Sequence, residues 1–157
     1  MKKSIDKAVE MLRRDHAKVS DLFVKFENAG DEGERKSIAD NILSALSAHA
    51  LAEEQVFYPA LGKVASPPIA AMLRHAKEEH GEMKQLITRI RASRFETGYE
   101  DMMETLKRTV LDHVEEEEAS MLPEAESKLQ EQAAIAAKML AVKTAALAKE
   151  KVGELSR

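Results

Sequence analysis

Apolar residues recur along this chain at every third or fourth position rather than every second, the period of α-helices with one buried face. The first stripe, Ile5, Val9, Leu12, Val19, Leu22 and Phe26, predicts a helix over about 4–29. Asn28-Ala29-Gly30 predicts its stop, because glycine takes the left-handed conformation past a helix end without strain. A second stripe starts near Gly33 and carries Ile38, Ile42, Leu46, His49, Glu53 and Val56, with Pro59 and Gly62 ending or bending it. Ser66-Pro67-Pro68 gives a cap residue and first-turn prolines to a third helix that runs to about Ser93. Thr97-Gly98-Tyr99-Glu100 has the spacing of a capping box. It opens a fourth helix through Met102, Leu106, Val110 and His113 toward Pro123.

A last, alanine-rich segment over about 131–152 puts Ile135, Met139, Val142 and Ala146 on one face, with Lys138, Lys143, Lys149 and Lys151 outside it. Four long helices with short connections predict an all-α, up-down-up-down four-helix bundle. The bundle is expected over 1–129. Residues 130–157 form an amphipathic helix or tail, expected to dock back on the bundle, with dimerisation the next reading.

Composition narrows the chemistry. The 157 residues are 44% hydrophobic and 33% charged, which fits one ordered domain. No run approaches the ~18 apolar residues of a membrane span. The start, Met1-Lys2-Lys3-Ser4-Ile5-Asp6-Lys7, has positive charge without an apolar core behind it, so a cytoplasmic location is the expectation. A net charge of −4 offers no electrostatic footprint for nucleic acid. Cysteine is absent, which excludes disulfides, thiolate zinc sites, iron–sulfur clusters and cysteine nucleophiles. Any metal here must be held by nitrogen and oxygen, and five histidines are present.

An internal repeat organises four of those histidines. His16 and His80 are 64 apart, as are His49 and His113, and the same offset maps Glu53 onto Glu117, Glu54 onto Glu118 and Pro59 onto Pro123. Asp15-His16-Ala17-Lys18-Val19 answers Glu79-His80-Gly81-Glu82-Met83. Two related helix-pair halves explain this. Residues four apart share a helix face, so His49 and Glu53 aim together, as do His113 and Glu117, on stripes that face the interior. His16 and His80 meet them from the first and third helices. Buried carboxylates are costly without a cation. Two of them bridging two metals, each metal also taking two histidines, uses all six groups and leaves room for a bridging oxygen and an exogenous ligand. Such donors suit non-haem iron, with manganese or zinc as alternative occupants.

The order His16, His49-x-x-x-Glu53, His80, His113-x-x-x-Glu117 resembles the hemerythrin HHE cation-binding domain in its small bacterial form with four histidines and two glutamates. Asp15-His16, the run Glu53 to Pro59, Glu78-Glu79-His80 and Glu116-Glu117-Glu118 up to Pro123 share that likeness, which covers about residues 4–129. The resemblance implies a di-iron centre that meets O₂, NO or peroxide, with the two glutamates bridging the irons and the histidines terminal. The oxygen-carrying hemerythrins have a second histidine one turn from the first on the third helix. Here those positions are Ala76 and Lys84, and His75 lies five residues from His80, about 140° round the helix. Sensing or detoxification is therefore expected rather than O₂ transport.

The rivals are a catalase- or peroxidase-like enzyme at the same centre, an iron-buffering or iron-sensing module, and a zinc-stabilised bundle. No separate general acid or base is evident from the sequence. Expected partners are a small diatomic ligand or peroxide, without nucleic acid or membrane, in a monomer or homodimer. Glu54 and Glu118 read as solvated groups or groups that orient ligands. Tyr58 reads as packing, its phenol reaching the metals only if the helix kinks, and His75 reads as a surface histidine.

Overall fold

The computed structural model describes residues 7–155, with side-chain surroundings for 7–151. The predicted Ser4 and Ile5 at the first helix's start lie outside the described residues. Helix α1 spans Ala8–Asn28. Helix α2, Glu32–Ala52, passes without a break through a π-turn, Glu53–Phe57, into the short α3, Tyr58–Gly62. Helix α4 spans Pro67–Ala92. Helix α5, Tyr99–Glu116, runs through a second π-turn, Glu117–Met121, into α6, Leu122–Lys128, and α7 covers Gln132–Leu155. No strand occurs among the described residues.

The ends of these helices differ from expectation in instructive ways. Helix α1 does stop at Asn28, but through Ala29 in an extended conformation (φ −62°, ψ 134°). The left-handed glycine among the described residues is Gly98 (φ 95°), which sits at the N-cap of α5, so the Thr97–Glu100 capping box does not form. Helix α2 is capped by Asp31, whose side chain accepts from the Glu34 amide at 2.8 Å, a first-turn donor left free by the helix pattern. Ser66 precedes α4 but does not cap it. Its amide and hydroxyl both donate to Glu124 of α6, at 2.8 and 2.7 Å, tying the α3–α4 connection to α6 at the same end of the bundle.

Helices α1, α2, α4 and α5 form the bundle. Each packs against two of the others, α1 against α2 and α5, and α4 against α2 and α5. Helix α7 lies along α1 and α2 with Ala136 and Met139 buried, the docking expected of its apolar face. The core is split in two. One apolar cluster gathers Leu12, Ala52, Phe57, Leu61, Leu73, Met121, Leu122 and Met139. The other gathers Val19, Phe23, Ile42, Leu46, Met83, Ile87, Leu106 and Val110. On each of the four long helices a buried histidine falls between the two sets, so a polar layer crosses the bundle at mid-height.

Candidate metal centre

The polar layer consists of His16 on α1, His49 on α2, His80 on α4, His113 on α5, and Glu53 and Glu117 at the first positions of the two π-turns. All six are buried, with Glu53 at 0% and Glu117 at 1% exposure. The structure thus brings together the four histidines and two glutamates that the helical spacing aimed inward, and leaves His75 on the surface with its side chain 58% exposed.

The π-turns have a cause in the sequence. Pro59 and Pro123 lack an amide hydrogen and would clash with the carbonyls of Gln55 and Ala119 in a regular helix. One wider turn before each proline relieves this, and the Tyr58 and Leu122 amides bond back to the carbonyls of Glu53 and Glu117, five residues earlier. On an α-helix Tyr58 would sit about 140° round from Glu53; the wider turn brings it over the same face. Its hydroxyl donates to Glu117 Oε2 at 2.5 Å and lies 3.1 Å from Glu53 Oε1, 3.3 Å from His80 Nε2 and 3.4 Å from His113 Nε2. Tyr58 is therefore part of the centre, where the sequence alone favoured packing. Burial and the charges of Glu53 and Glu117 push its pKa well above the usual phenol value, which keeps the proton on the oxygen.

Each imidazole is oriented from behind by a carboxylate that accepts from its Nδ1. Glu118 holds His16 at 2.7 Å, Asp15 holds His49 at 2.9 Å, Glu54 holds His80 at 2.9 Å and Glu79 holds His113 at 2.8 Å. Such outer carboxylates fix which nitrogen carries the proton and turn Nε2 inward. Glu54 and Glu118 thus orient the His80 and His16 imidazoles, where the sequence also left open a solvated position or direct ligation. Asp15 and Glu79 went unassigned, although the 64-residue offset that pairs them was the signal that could have found them. Lys143, which the helical stripe left outside, donates to Asp15 Oδ1 at 2.6 Å and so links α7 to the His49 support.

Whether these residues suit a metal can be judged from their unmet polar atoms. His16 Nε2, His49 Nε2, Glu53 Oε2 and Glu117 Oε1 are buried without a hydrogen-bond partner. His16 Nε2 and Glu117 Oε1 are 3.3 Å apart, as are His49 Nε2 and Glu53 Oε1, close enough for ion pairing but without hydrogen-bond geometry. Buried polar atoms are almost always paired, and four unmet donor-capable or acceptor atoms at one point fit a cation. The donors form two sets that share Glu53. His16, His49, Glu53 and Glu117 make one, and Glu53, His80 and His113 the other, each with ligand atoms within 4.8 Å of one another.

Without a metal, protons take its place. Burial disfavours the His49 imidazolium, but the Glu53 charge and hydrogen bonds to Asp15 and Glu53 outweigh it and hold the pKa up at about 10. Burial likewise opposes charging His113, and its hydrogen bonds and charge interactions with Glu117 and Glu53 raise it to about 11. Burial works against ionised Glu53 too, yet the charge on His49 and bonds from His113, His49 and His80 hold it well below the usual carboxylate range.

The chain is similar to known proteins in sequence and fold. A DNA nickase from Nostoc sp. is 33% identical over 113 residues, 71% of this chain, and the chain spans 31% of that relative's length. Uncharacterized proteins of Mycobacterium tuberculosis and Mycobacterium bovis are 27% identical over 117 residues, 74% of this chain and 70% of theirs. The crystal structure of a hemerythrin HHE cation binding domain-containing protein from Mycobacterium kansasii is similar with a TM-score of 0.75 and 26% identity, over 93% of each chain. The sequence profile of the hemerythrin HHE cation binding domain itself matches residues 7–125. By that match over most of its length, and with the histidine and glutamate layer at the heart of its bundle, the chain belongs to the hemerythrin HHE cation-binding domain family.

Proposed function

We propose that this protein is a non-haem di-iron member of its family that binds or reacts with O₂, NO or peroxide, in sensing or detoxification rather than O₂ transport. Its ligands in this reading are His16, His49, Glu53, His80, His113 and Glu117, with manganese or zinc as substitutes for iron. The observation that carries it is the convergence of four unpartnered buried atoms, from His16, His49, Glu53 and Glu117, beside a second donor set that shares Glu53. Two redox-active ions held there would supply electrons and Lewis acidity to a small ligand. The chain's own residues set the conditions. Four carboxylates lock the imidazoles, two apolar clusters exclude water above and below, and the Tyr58 hydroxyl holds a proton within 2.5 Å of Glu117.

Size supports a small ligand. The gap beside the histidines has a volume of about 20 Å³ and is bordered by Val19, Leu46, Met83 and Val110. A single water needs about 10–15 Å³, so this space is on the scale of one small molecule. The case against O₂ transport rests on the positions flanking His80. Ala76 is buried, and the Lys84 ammonium donates to Glu54 at 2.7 Å, so neither adds an imidazole to the centre.

The catalase- or peroxidase-like reading gains one observation. The sequence offered no separate acid, and in this reading the Tyr58 hydroxyl, in hydrogen-bond reach of both glutamates, is the candidate proton donor. DNA cleavage is not part of this proposal, since the matched segment is 31% of the nickase and the net charge is −4.

Metal analysis of protein from iron-replete cells tests the reading. Two irons per chain are expected, and one or none overturns it. Rapid O₂ evolution from H₂O₂, lost in Glu53→Ala and Glu117→Ala, would favour the enzyme. A reversible spectral change under O₂ or NO without turnover would favour sensing.

A further inference from the structure

We propose that His75, Glu79 and Glu116 form a second cation site, on the surface of the bundle, for a divalent first-row transition-metal ion. His75 is the histidine that the buried centre does not use. With Glu79 it makes a third His-x-x-x-Glu pair, the same one-turn spacing as His49 with Glu53 and His113 with Glu117. Glu116 joins from α5, and one ligand atom from each of the three lies within 4.8 Å of the others. Bonds of about 2.0–2.2 Å around a tetrahedral ion place its donors about 3.4 Å apart. His75 Nε2 and Glu79 Oε2 are 3.5 Å apart, already at that separation. His75 and Glu116 are exposed, so both side chains can swing to close the remaining distance.

The internal repeat gives an independent reason to place a cation here. Glu79 is the 64-residue counterpart of Asp15. Asp15 uses Oδ2 to accept from His49, and its Oδ1 accepts from the Lys143 ammonium at 2.6 Å. Glu79 uses Oε1 to accept from His113, and its Oε2 faces His75. In the first half of the molecule, α7 lies across the bundle and delivers a lysine cation to the outer face of the supporting carboxylate. In the second half the outer oxygen of the supporting carboxylate faces an imidazole instead, with a further carboxylate beside it. Glu78 adds charge, with Oε2 3.9 Å from His75 Nδ1. One nitrogen and two carboxylates select zinc, cobalt, manganese or ferrous ions over magnesium and calcium, which prefer oxygen alone.

The test is equilibrium dialysis of the metal-loaded full chain against Zn²⁺, with metals counted per chain. The wild type should hold one Zn²⁺ more than His75→Ala. Glu116→Gln should lose the additional ion at the Zn²⁺ concentration that saturates the wild type. His75→Lys should also exclude it, because a lysine there would pair with Glu79 as Lys143 pairs with Asp15. Equal counts in wild type and His75→Ala would overturn the site. Loss of the tightly held metals in His75→Ala would overturn it as well, since that result would assign His75 to the buried centre. Both substituted positions, 75 and 116, are exposed, and thermal melts that match the wild type establish that the three variants are folded.

Discussion

The Tyr58 hydroxyl donates to Glu117 at 2.5 Å across 59 residues of sequence, while the repeat counterpart of Tyr58 is Leu122, buried in the apolar cluster. The two halves of the centre are therefore alike in every imidazole and carboxylate but not in this phenol. Tyr58→Phe removes one proton donor and leaves all six proposed ligands in place. If peroxide is a substrate, its turnover should fall by about 10²-fold or more, the range of a general acid, with metal content unchanged. Loss of metal together with activity would instead make the phenol a structural prop or a ligand.

Much of this centre was legible because its spacing is helical. His49 with Glu53, and His113 with Glu117, need only an α-helix to share a face, and the offset of 64 located both pairs. Tyr58 was not legible for the opposite reason. Its position depends on a turn of π-helix, and a regular 3.6-residue period puts it on the wrong side. The prolines at 59 and 123 signalled a bend, but not its geometry. The Lys143–Asp15 contact was hidden for another reason: it joins residues 128 apart and depends on how α7 docks, which no local pattern encodes.

Asp15 tests how much the supporting carboxylates matter. Asp15→Asn keeps the side-chain shape but removes the charge behind His49 and the partner of Lys143. Loss of such a support weakens metal binding by about 10–100-fold. A competition assay against a chelator should show that drop. Lys143→Met should act in the same direction but more weakly, because it leaves the Asp15–His49 bond intact.

Metal loading should release protons. At pH 7 metal-free His49, with a pKa of about 10, and His113, at about 11, are protonated, whereas a metal binds only the free imidazole nitrogen. Calorimetry in buffers of different ionisation enthalpy should detect about two protons expelled per chain at pH 7, and apparent metal affinity should rise with pH. The same shifts set the stability of the metal-free protein. Both imidazoles are raised above their ordinary 6.5, so their contribution is complete below pH 6.5 and is lost as pH climbs through about 10 and 11. Glu53, held low, contributes above its ordinary 4.5 and loses that contribution as pH falls through its lowered value. Denaturation midpoints of metal-free protein should therefore decline from pH 6.5 to 10. A flat profile there would mean that the imidazoles are neutral in the folded chain.

Gly81 separates helix stability from the chemistry beside it. It sits inside α4 directly after His80, without a positive φ, and a Cβ added there would meet nothing within 4 Å. The other half of the repeat already carries alanine at the equivalent position, Ala17. Glycine in a helix interior costs about 0.5–1 kcal/mol relative to alanine, through the greater freedom of the unfolded chain. Gly81→Ala should therefore raise the melting temperature by about 1–4 °C for a chain of this size. The His80 contacts to Glu54 and Tyr58 run through the ring nitrogens and not through residue 81. Metal content and ligand reactivity should accordingly stay at wild-type levels. A stabilised variant with altered reactivity would show that the centre uses flexibility of α4 next to His80, a property absent from the static contacts.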